Sequence, residues 1–154
     1  MNKTKPVRDF LLTCIKALSK ENFDEAVRIF LLNYLKCEEC INVDGANDGG
    51  CDIKIFKNKR EIKKCVQVTV NKAIETKLKN DLKKVDNLIT EYNYSSSFDF
   101  FCSTAVSEEK IEEYQKFARD TYTIELNIFE AKRLSEIDCK ELGDYIYSLH
   151  DDIV

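Results

Sequence analysis

The sequence predicts an α/β sandwich in which helices cover a mixed β-sheet. Apolar residues recur at helical spacing in several long segments and alternate with polar residues in the shorter segments between them. Two of the short segments lie on either side of a polar turn, as in an antiparallel hairpin. Helices interleaved with strands indicate a sheet covered by helices, and the hairpin adds an antiparallel pair to that sheet.

Length and composition indicate one soluble domain spanning residues 1–154. The chain is 44% apolar and 34% charged, which is typical of globular proteins. No apolar run approaches the roughly 20 residues of a membrane span, and the N-terminus shows no secretory-signal pattern. Its seven cysteines are an odd number and lie mostly in apolar segments, which favours reduced thiols. We therefore expect a cytoplasmic protein with no membrane partner, and His150, as the only histidine, argues against histidine-based catalysis.

The N-terminal segments 7–18 and 23–35 predict two amphipathic helices. Asn22, with Glu25 three residues later, has the spacing of a capping box at the start of the second helix. Asp24 then falls in the first helical turn. There it either interacts favourably with the helix dipole or reaches towards a functional site.

The hairpin predicts a cluster of polar side chains beside a buried strand. A strand is expected at 40–43, and a turn at Asn58–Glu61 would pair residues whose numbers sum to 119, so that Asp52 faces Gln67. Because side chains alternate along a strand, Asp52, Gln67 and Thr69 share one face. Polar groups in this position predict a metal site.

The C-terminal half alternates helices and strands. The expected order is a helix at 74–92, a strand at 98–103, a helix at 111–118, a strand at 122–129, and helical pieces at 134–137 and 142–149.

Positive charge is concentrated around the hairpin and the following helix. Residues 53–84 contain eleven Lys and Arg against three acids, although the whole chain has a net charge of −4. Such a band predicts binding to a polyanion; a solvated lysine-rich helix face is the alternative. The candidate nucleic-acid-binding residues are Lys63, Lys64, Lys72, Lys79, Lys83 and Lys84.

Two short motifs resemble those of the restriction-endonuclease-like superfamily, the PD-(D/E)XK nucleases. They are Gly49-Gly50-Cys51-Asp52-Ile53 and Lys64-Cys65-Val66-Gln67-Val68-Thr69, and Phe23-Asp24 matches the preceding helix in the type IV restriction branch. The resemblance covers about residues 23–137. It implies a three-layer sandwich with a central mixed β-sheet and two N-terminal helices.

The resemblance also implies a Mg²⁺ or Mn²⁺ site. Asp52 would anchor the metal, with the Gln67 side-chain carbonyl and the Val68 main-chain carbonyl as further ligands and Asp24 as an additional candidate. Carboxylate and amide oxygens are hard ligands that suit these ions.

The sequence departs from the family pattern where a lysine usually orients the attacking water, because Thr69 stands at that position. A similar Gln-x-Thr variant in the N-terminal domains of bacterial defence ATPases has a lysine at the start of the next helix. Lys77 occupies that place here, with Lys72 as a second candidate. If neither lysine acts, the site is inactive.

The resemblance therefore implies a magnesium-dependent endodeoxyribonuclease that acts as an effector domain in bacterial antiviral defence. DNA is expected as the partner in preference to RNA, and self-association into a homo-oligomer stays open. The alternative is a catalytically degenerate nuclease fold that serves as a nucleic-acid-binding or dimerisation module.

Overall fold

The computed structural model describes residues 4–35, 37, 39–42, 53–57, 60–62 and 64–151, with the first three strands described by their backbone. None of the helices in these ranges is both long and apolar enough to cross a bilayer. The elements, in chain order, are α1 (Lys5–Lys16), α2 (Lys20–Asn33), β1 (Glu39–Asn42), β2 (Ile53–Lys57), β3 (Arg60–Ile62), β4 (Cys65–Thr69), α3 (Ile74–Tyr92), β5 (Ser97–Cys102), α4 (Glu108–Tyr122), β6 (Glu125–Phe129), α5 (Ala131–Glu136) and α6 (Lys140–Asp151).

The protein is a mixed α/β domain, as predicted, but the described strands form two sheets instead of one mixed sheet. β1, β2 and β3 form an antiparallel sheet, and β4, β5 and β6 form a parallel one, with β2 lying beside β4. The predicted second hairpin strand is divided between β3 and β4. All five residues of β4 are buried, which suits a parallel strand covered on both faces.

The predicted hairpin register is wrong by two residues. Ile55 pairs with Ile62 and Lys57 with Arg60, so paired numbers sum to 117, and Arg60 belongs to β3 instead of the turn. Two residues separate the paired ends, a loop length that matches the natural twist of hairpins. The expected pairing of Asp52 with Gln67 was based on the longer turn, so this register does not support it. Asp52 itself lies outside the described residues.

Helices cover both faces of the parallel sheet. One apolar cluster joins Val66, Val68 and Phe101 to α1, α2, α5 and α6. A second cluster joins Cys65 and Phe100 to α3 and α4. Because side chains alternate along β4, the side chains at positions 67 and 69 point to the same face as Cys65, towards α3 and α4.

The start of α2 differs from the predicted capping box. The hydroxyl of Ser19 accepts a hydrogen bond from the Asn22 backbone N–H at 3.2 Å, which makes Ser19 the N-cap. Apolar periodicity begins at Phe23, but a polar first turn precedes it, and serine is among the preferred N-cap residues. Asp24 therefore lies beyond the first turn and is buried.

The edge of the parallel sheet at β6 is covered by side chains. The Glu125 N–H donates towards the β5 side, to the Ser96 carbonyl at 2.8 Å. Because hydrogen-bonding groups alternate sides along a parallel strand, the backbone groups of Leu126 and Ile128 point away from β5, towards the free edge. There the Gln115 amide donates to the Leu126 carbonyl at 3.1 Å, and the Arg133 guanidinium donates to the Ile128 carbonyl at 2.9 Å.

Candidate functional site

Gln67 is the predicted site residue with the most unusual environment. It lies in the middle of β4, is 2% exposed, and its Oε1 has no hydrogen-bond partner among the residues that the structure describes. A buried acceptor without a donor costs about 1–3 kcal/mol, so buried polar groups are nearly always paired. Binding of a cation or of a hydrogen-bond donor to the Gln67 oxygen would therefore remove this energetic cost.

Thr69 shares this face of β4 and is also buried. Its Oγ1 accepts a hydrogen bond from the Asn71 backbone N–H at 3.0 Å, and the Asn71 Oδ1 accepts one from the Ala73 N–H at 2.8 Å. Side-chain-to-backbone bonds of this type build turns. Thr69 thus organises the connection from β4 to α3.

Lys77 is held by a buried acid that the sequence analysis did not single out. The Lys77 Nζ lies 2.9 Å from Oδ1 of Asp81, one helical turn further along α3, and the Asp81 side chain is fully buried. The signal available in the sequence was an acid among the apolar positions of α3, four residues after a lysine.

The position of Lys79 shows on which side of α3 Lys77 and Asp81 lie. The Lys79 Nζ lies 5.1 Å from the centre of the Phe117 ring on α4, so Lys79 marks the α4 flank of α3. At 3.6 residues per turn, Lys77 and Asp81 are each about 160° around the helix from Lys79. Because α4 contacts β6 and the strand order is β4-β5-β6, the opposite flank of α3 faces away from β6, towards the β4 side of the sheet. Lys77 therefore lies on the flank of α3 that is nearer to the β4 side.

Lys72, the second candidate for the missing lysine, is exposed between β4 and α3. It borders a cavity of about 380 Å³ between the first turns of α3 and α4, with Lys110 among the other lining residues. Lys72 is therefore more exposed than Lys77, and among the described residues Lys77 is the one of the two with an ion pair to a buried acid.

Asp24 and the Gln67 side chain lie on different sides of β4. The Asp24 carboxylate is 2.6 Å from the Lys20 Nζ, within α2. α2 packs on the face of β4 that carries the side chain of Val68, whereas Gln67 points to the opposite face. The structure therefore does not bring Asp24 together with Gln67, although both were predicted to be ligands of one metal. Val68 is buried, with its main chain in the parallel sheet.

The candidate nucleic-acid-binding lysines of α3 fall on two flanks of that helix. On α3, Lys84 falls on the same flank as Lys77, while Lys83 falls on the α4 flank with Lys79. Lys64 is tied to the buried Asp99, with its Nζ 2.9 Å from Oδ2. Lys63 lies outside the described residues.

Asp99 and Glu130 are buried acids that sequence reasoning missed. Besides Lys64, Asp99 accepts a hydrogen bond from the Asn127 amide at 3.0 Å. Glu130 caps α5 by accepting from the Arg133 N–H at 2.6 Å and also accepts from the Val106 N–H at 3.0 Å. A single acid within the apolar run of β5 was the sequence signal for Asp99; none marked the long-range bond of Glu130.

Cys102, at the end of β5, is not an activated thiol. Burial, followed by the negative charge of Glu130, raises the pKa of Cys102 to about 12, so the thiol stays protonated at neutral pH.

The sequence shows no significant match to any protein-family model, curated protein or solved structure. Within the described ranges, no three His, Cys, Asp or Glu side chains gather into a metal-binding group. The predicted ligand set is of another kind, since it combines the amide of Gln67 with Asp52.

Proposed function

We propose that this domain hydrolyses the phosphodiester bonds of nucleic acids, DNA in preference to RNA, with Mg²⁺ or Mn²⁺. The observation that carries the proposal is the Oε1 of Gln67, a buried oxygen that has no hydrogen-bond partner in the described part of the chain. A hard cation is a suitable partner for such an oxygen.

The residues at this position fit a divalent cation in part. Asp52 would supply the anionic ligand and Gln67 a neutral oxygen, with the Val68 main-chain carbonyl as a third group. Mg²⁺ is commonly held by few protein ligands and keeps several waters. When bound, the metal would lower the pKa of a coordinated water and offset charge on the phosphate.

The order of elements supports the restriction-endonuclease-like interpretation. A helix precedes an antiparallel hairpin, β4 lies beside that hairpin, and a helix then leads to the parallel neighbour β5. Helices cover both faces of the parallel sheet. This arrangement would place the start of β2, where Asp52 is expected, near the strand that carries Gln67.

Three side chains of the domain have separate tasks in this proposal. Gln67 presents its buried oxygen to the cation, and Lys77 supplies the positive charge that Thr69 cannot. Thr69 fixes the turn into α3 through the Asn71 N–H and so sets where α3 begins. A cation held close to a phosphate stabilises the charge that develops during hydrolysis.

The deciding experiment compares the parent protein with Asp52→Asn on single- and double-stranded DNA and on RNA, over a range of Mg²⁺ and Mn²⁺ concentrations. The substitution keeps the size of the side chain and removes the anionic ligand. We expect metal-dependent cleavage to be lost while the folded structure and nucleic-acid binding remain. Cleavage by Asp52→Asn at the parental rate would contradict the assignment of Asp52 as the anchoring ligand.

A second candidate function is a binding or dimerisation module that has lost catalysis. It is favoured by the engagement of Thr69 in a turn and of Lys77 in an ion pair. Binding to nucleic acid in the presence of EDTA, without cleavage under any metal, substrate or assembly state, would select this alternative. An effector role in bacterial antiviral defence is proposed for the first function alone.

A further inference from the structure

We propose that Asp81 is a positioning residue, which holds the ammonium of Lys77 on the β4 flank of α3, beside the strand that carries Gln67. This inference rests on the nuclease function proposed above. It adds to that function a buried acid on α3. Asp24 on α2 cannot take this place, because it lies on the other side of β4.

The burial of the two partners is unequal. The Asp81 side chain is fully buried, while the Lys77 side chain remains 28% exposed. A buried carboxylate is costly unless it is paired and hydrogen-bonded, which ties Asp81 to the position of Lys77. Lys77 thus keeps partial access to solvent while its partner is enclosed, and in this proposal Asp81 sets the position of the Lys77 ammonium.

Lys–Asp pairs with the same spacing differ in the burial of their acid. Lys20–Asp24 on α2 also has a largely buried acid, 10% exposed, but it lies on the other face of β4. Lys5–Asp9 and Lys140–Asp144 also join residues four apart, but their acids are each 61% exposed. Pairs of that kind contribute little to stability.

The orientation of the pair connects it to Gln67. Asp81 is on the sheet-facing side of α3 because it is fully buried, and it is on the flank away from α4 because it lies about 160° from Lys79. Cys65 of β4 packs in the same cluster as α3, and Gln67 is two residues further along the same face. Lys77 and Gln67 thus belong to the same layer of the domain, between the parallel sheet and α3, and this is the basis for assigning Lys77 to the Gln67 site.

The test uses Asp81→Leu, Asp81→Asn, Lys77→Met and the double variant Asp81→Leu/Lys77→Met. Asp81→Leu should lower kcat per folded molecule by about 10²-fold with little change in KM, since misplacement of a catalytic group by about 1 Å has such an effect. Asp81→Asn retains an oxygen that accepts from Lys77 and should keep most of the activity. The double variant should be no slower than Lys77→Met, because the two residues act as one unit.

A second readout requires neither metal nor cleavage. In EDTA, amine-reactive labelling followed by mass spectrometry should modify Lys77 more slowly than Lys72 in the parent protein. In Asp81→Leu the labelling of Lys77 should approach that of Lys72. The double variant and Asp81→Asn keep the kinetic test available if Asp81→Leu does not fold, which circular dichroism will show.

Asp99→Asn is the matched control. Asp99 is also buried and also pairs with a lysine at 2.9 Å, but it has no part in the proposed chemistry. It should lose stability without losing kcat. An active parent in which Asp81→Leu behaves like Asp99→Asn, or in which Lys77 labelling is unchanged, would overturn the role of Asp81 alone. A parent with no cleavage under any condition would refute the nuclease and this inference together.

Discussion

Replacement of Gln67 by leucine should make the protein more stable and inactive. Gln67→Leu keeps a similar side-chain volume and removes the buried Oε1 that has no partner in the described part of the structure. Relief of an unsatisfied acceptor is worth about 1–3 kcal/mol. For a domain of this size, each kcal/mol corresponds to a shift in Tm of roughly 2–4 °C. We therefore expect the Tm in EDTA to rise by roughly 2–12 °C.

The same substitution should weaken stabilisation by metal. A ligand that binds only the folded state adds about 2.7 kcal/mol to stability at a concentration of 100 times its Kd. The parent should therefore melt at a higher temperature as Mn²⁺ or Mg²⁺ is added at millimolar concentrations, with Mn²⁺ the more effective by the usual order of divalent ions. Gln67→Leu should show a smaller shift and no cleavage.

Gln115→Leu provides the control for this measurement. Gln115 is half-buried and its amide donates to the Leu126 carbonyl at 3.1 Å, so its loss should lower stability by about 1 kcal/mol. Gln67→Leu and Gln115→Leu should therefore change the stability in EDTA in opposite directions. If Gln67→Leu is destabilised in EDTA by as much as Gln115→Leu, the Gln67 oxygen is already satisfied and the reasoning for the metal site fails.

Three further predictions concern charge. Lys77→Ala should cost about 3–5 kcal/mol in urea denaturation, because it removes a cation that pairs with a buried carboxylate. Lys72→Ala should change the stability by no more than about 0.5 kcal/mol. Equal effects of the two substitutions would contradict the assigned burial. Binding to duplex DNA should weaken with salt, with a slope of log K against log salt concentration of about −0.9 per phosphate contacted. Lys84→Gln should reduce the size of this slope by about one, whereas Lys83→Gln should leave it unchanged. A titration without salt dependence would exclude polyanion binding. Because burial raises the pKa of Cys102 from 9.0 to about 12, its thiol contributes stability that is complete below pH 9 and is lost as the pH rises towards 12. Denaturation between pH 9 and 11 should therefore be less steep in pH for Cys102→Ala, and identical profiles would refute this.

The helices and strands after the hairpin were predictable because their patterns are long and regular. The predicted helix at 74–92 matches α3, which ends where Asn93 adopts a left-handed φ of 56°. Asparagine is one of the few residues that ends helices readily in this conformation. β5 and β6 were also located, because each is a short apolar segment bounded by polar residues.

The hairpin register was not predictable from its sequence. The segment Asn58-Lys59-Arg60-Glu61 contains no glycine and so lacks the strong signal of a two-residue turn. Without that signal, the sequence is equally compatible with the longer, predicted turn centred between residues 59 and 60. The structure centres the pairing one residue earlier, which moves every predicted partner by two while keeping the faces of the strand.

The candidate site was predictable in its residue types but not in its surroundings. Gln67 was identified from a motif, yet the absence of a partner for its oxygen within the described residues depends on what packs against β4. Asp81 was missed because a helical pattern does not say which acid is buried. The division of the lysines between two flanks of α3 likewise depends on where α4 lies, which Lys79 and Phe117 reveal.

The side chains that cover β6 have a consequence for how this protein can assemble. A bare edge strand offers its carbonyls to any extended chain and invites aggregation or strand addition. Here the outward carbonyls of Leu126 and Ile128 already accept from Gln115 and Arg133. An incoming strand would have to displace an amide and a guanidinium that also lies over the Phe129 ring at 4.2 Å. Joining two copies by continuing the parallel sheet through β6 is therefore disfavoured.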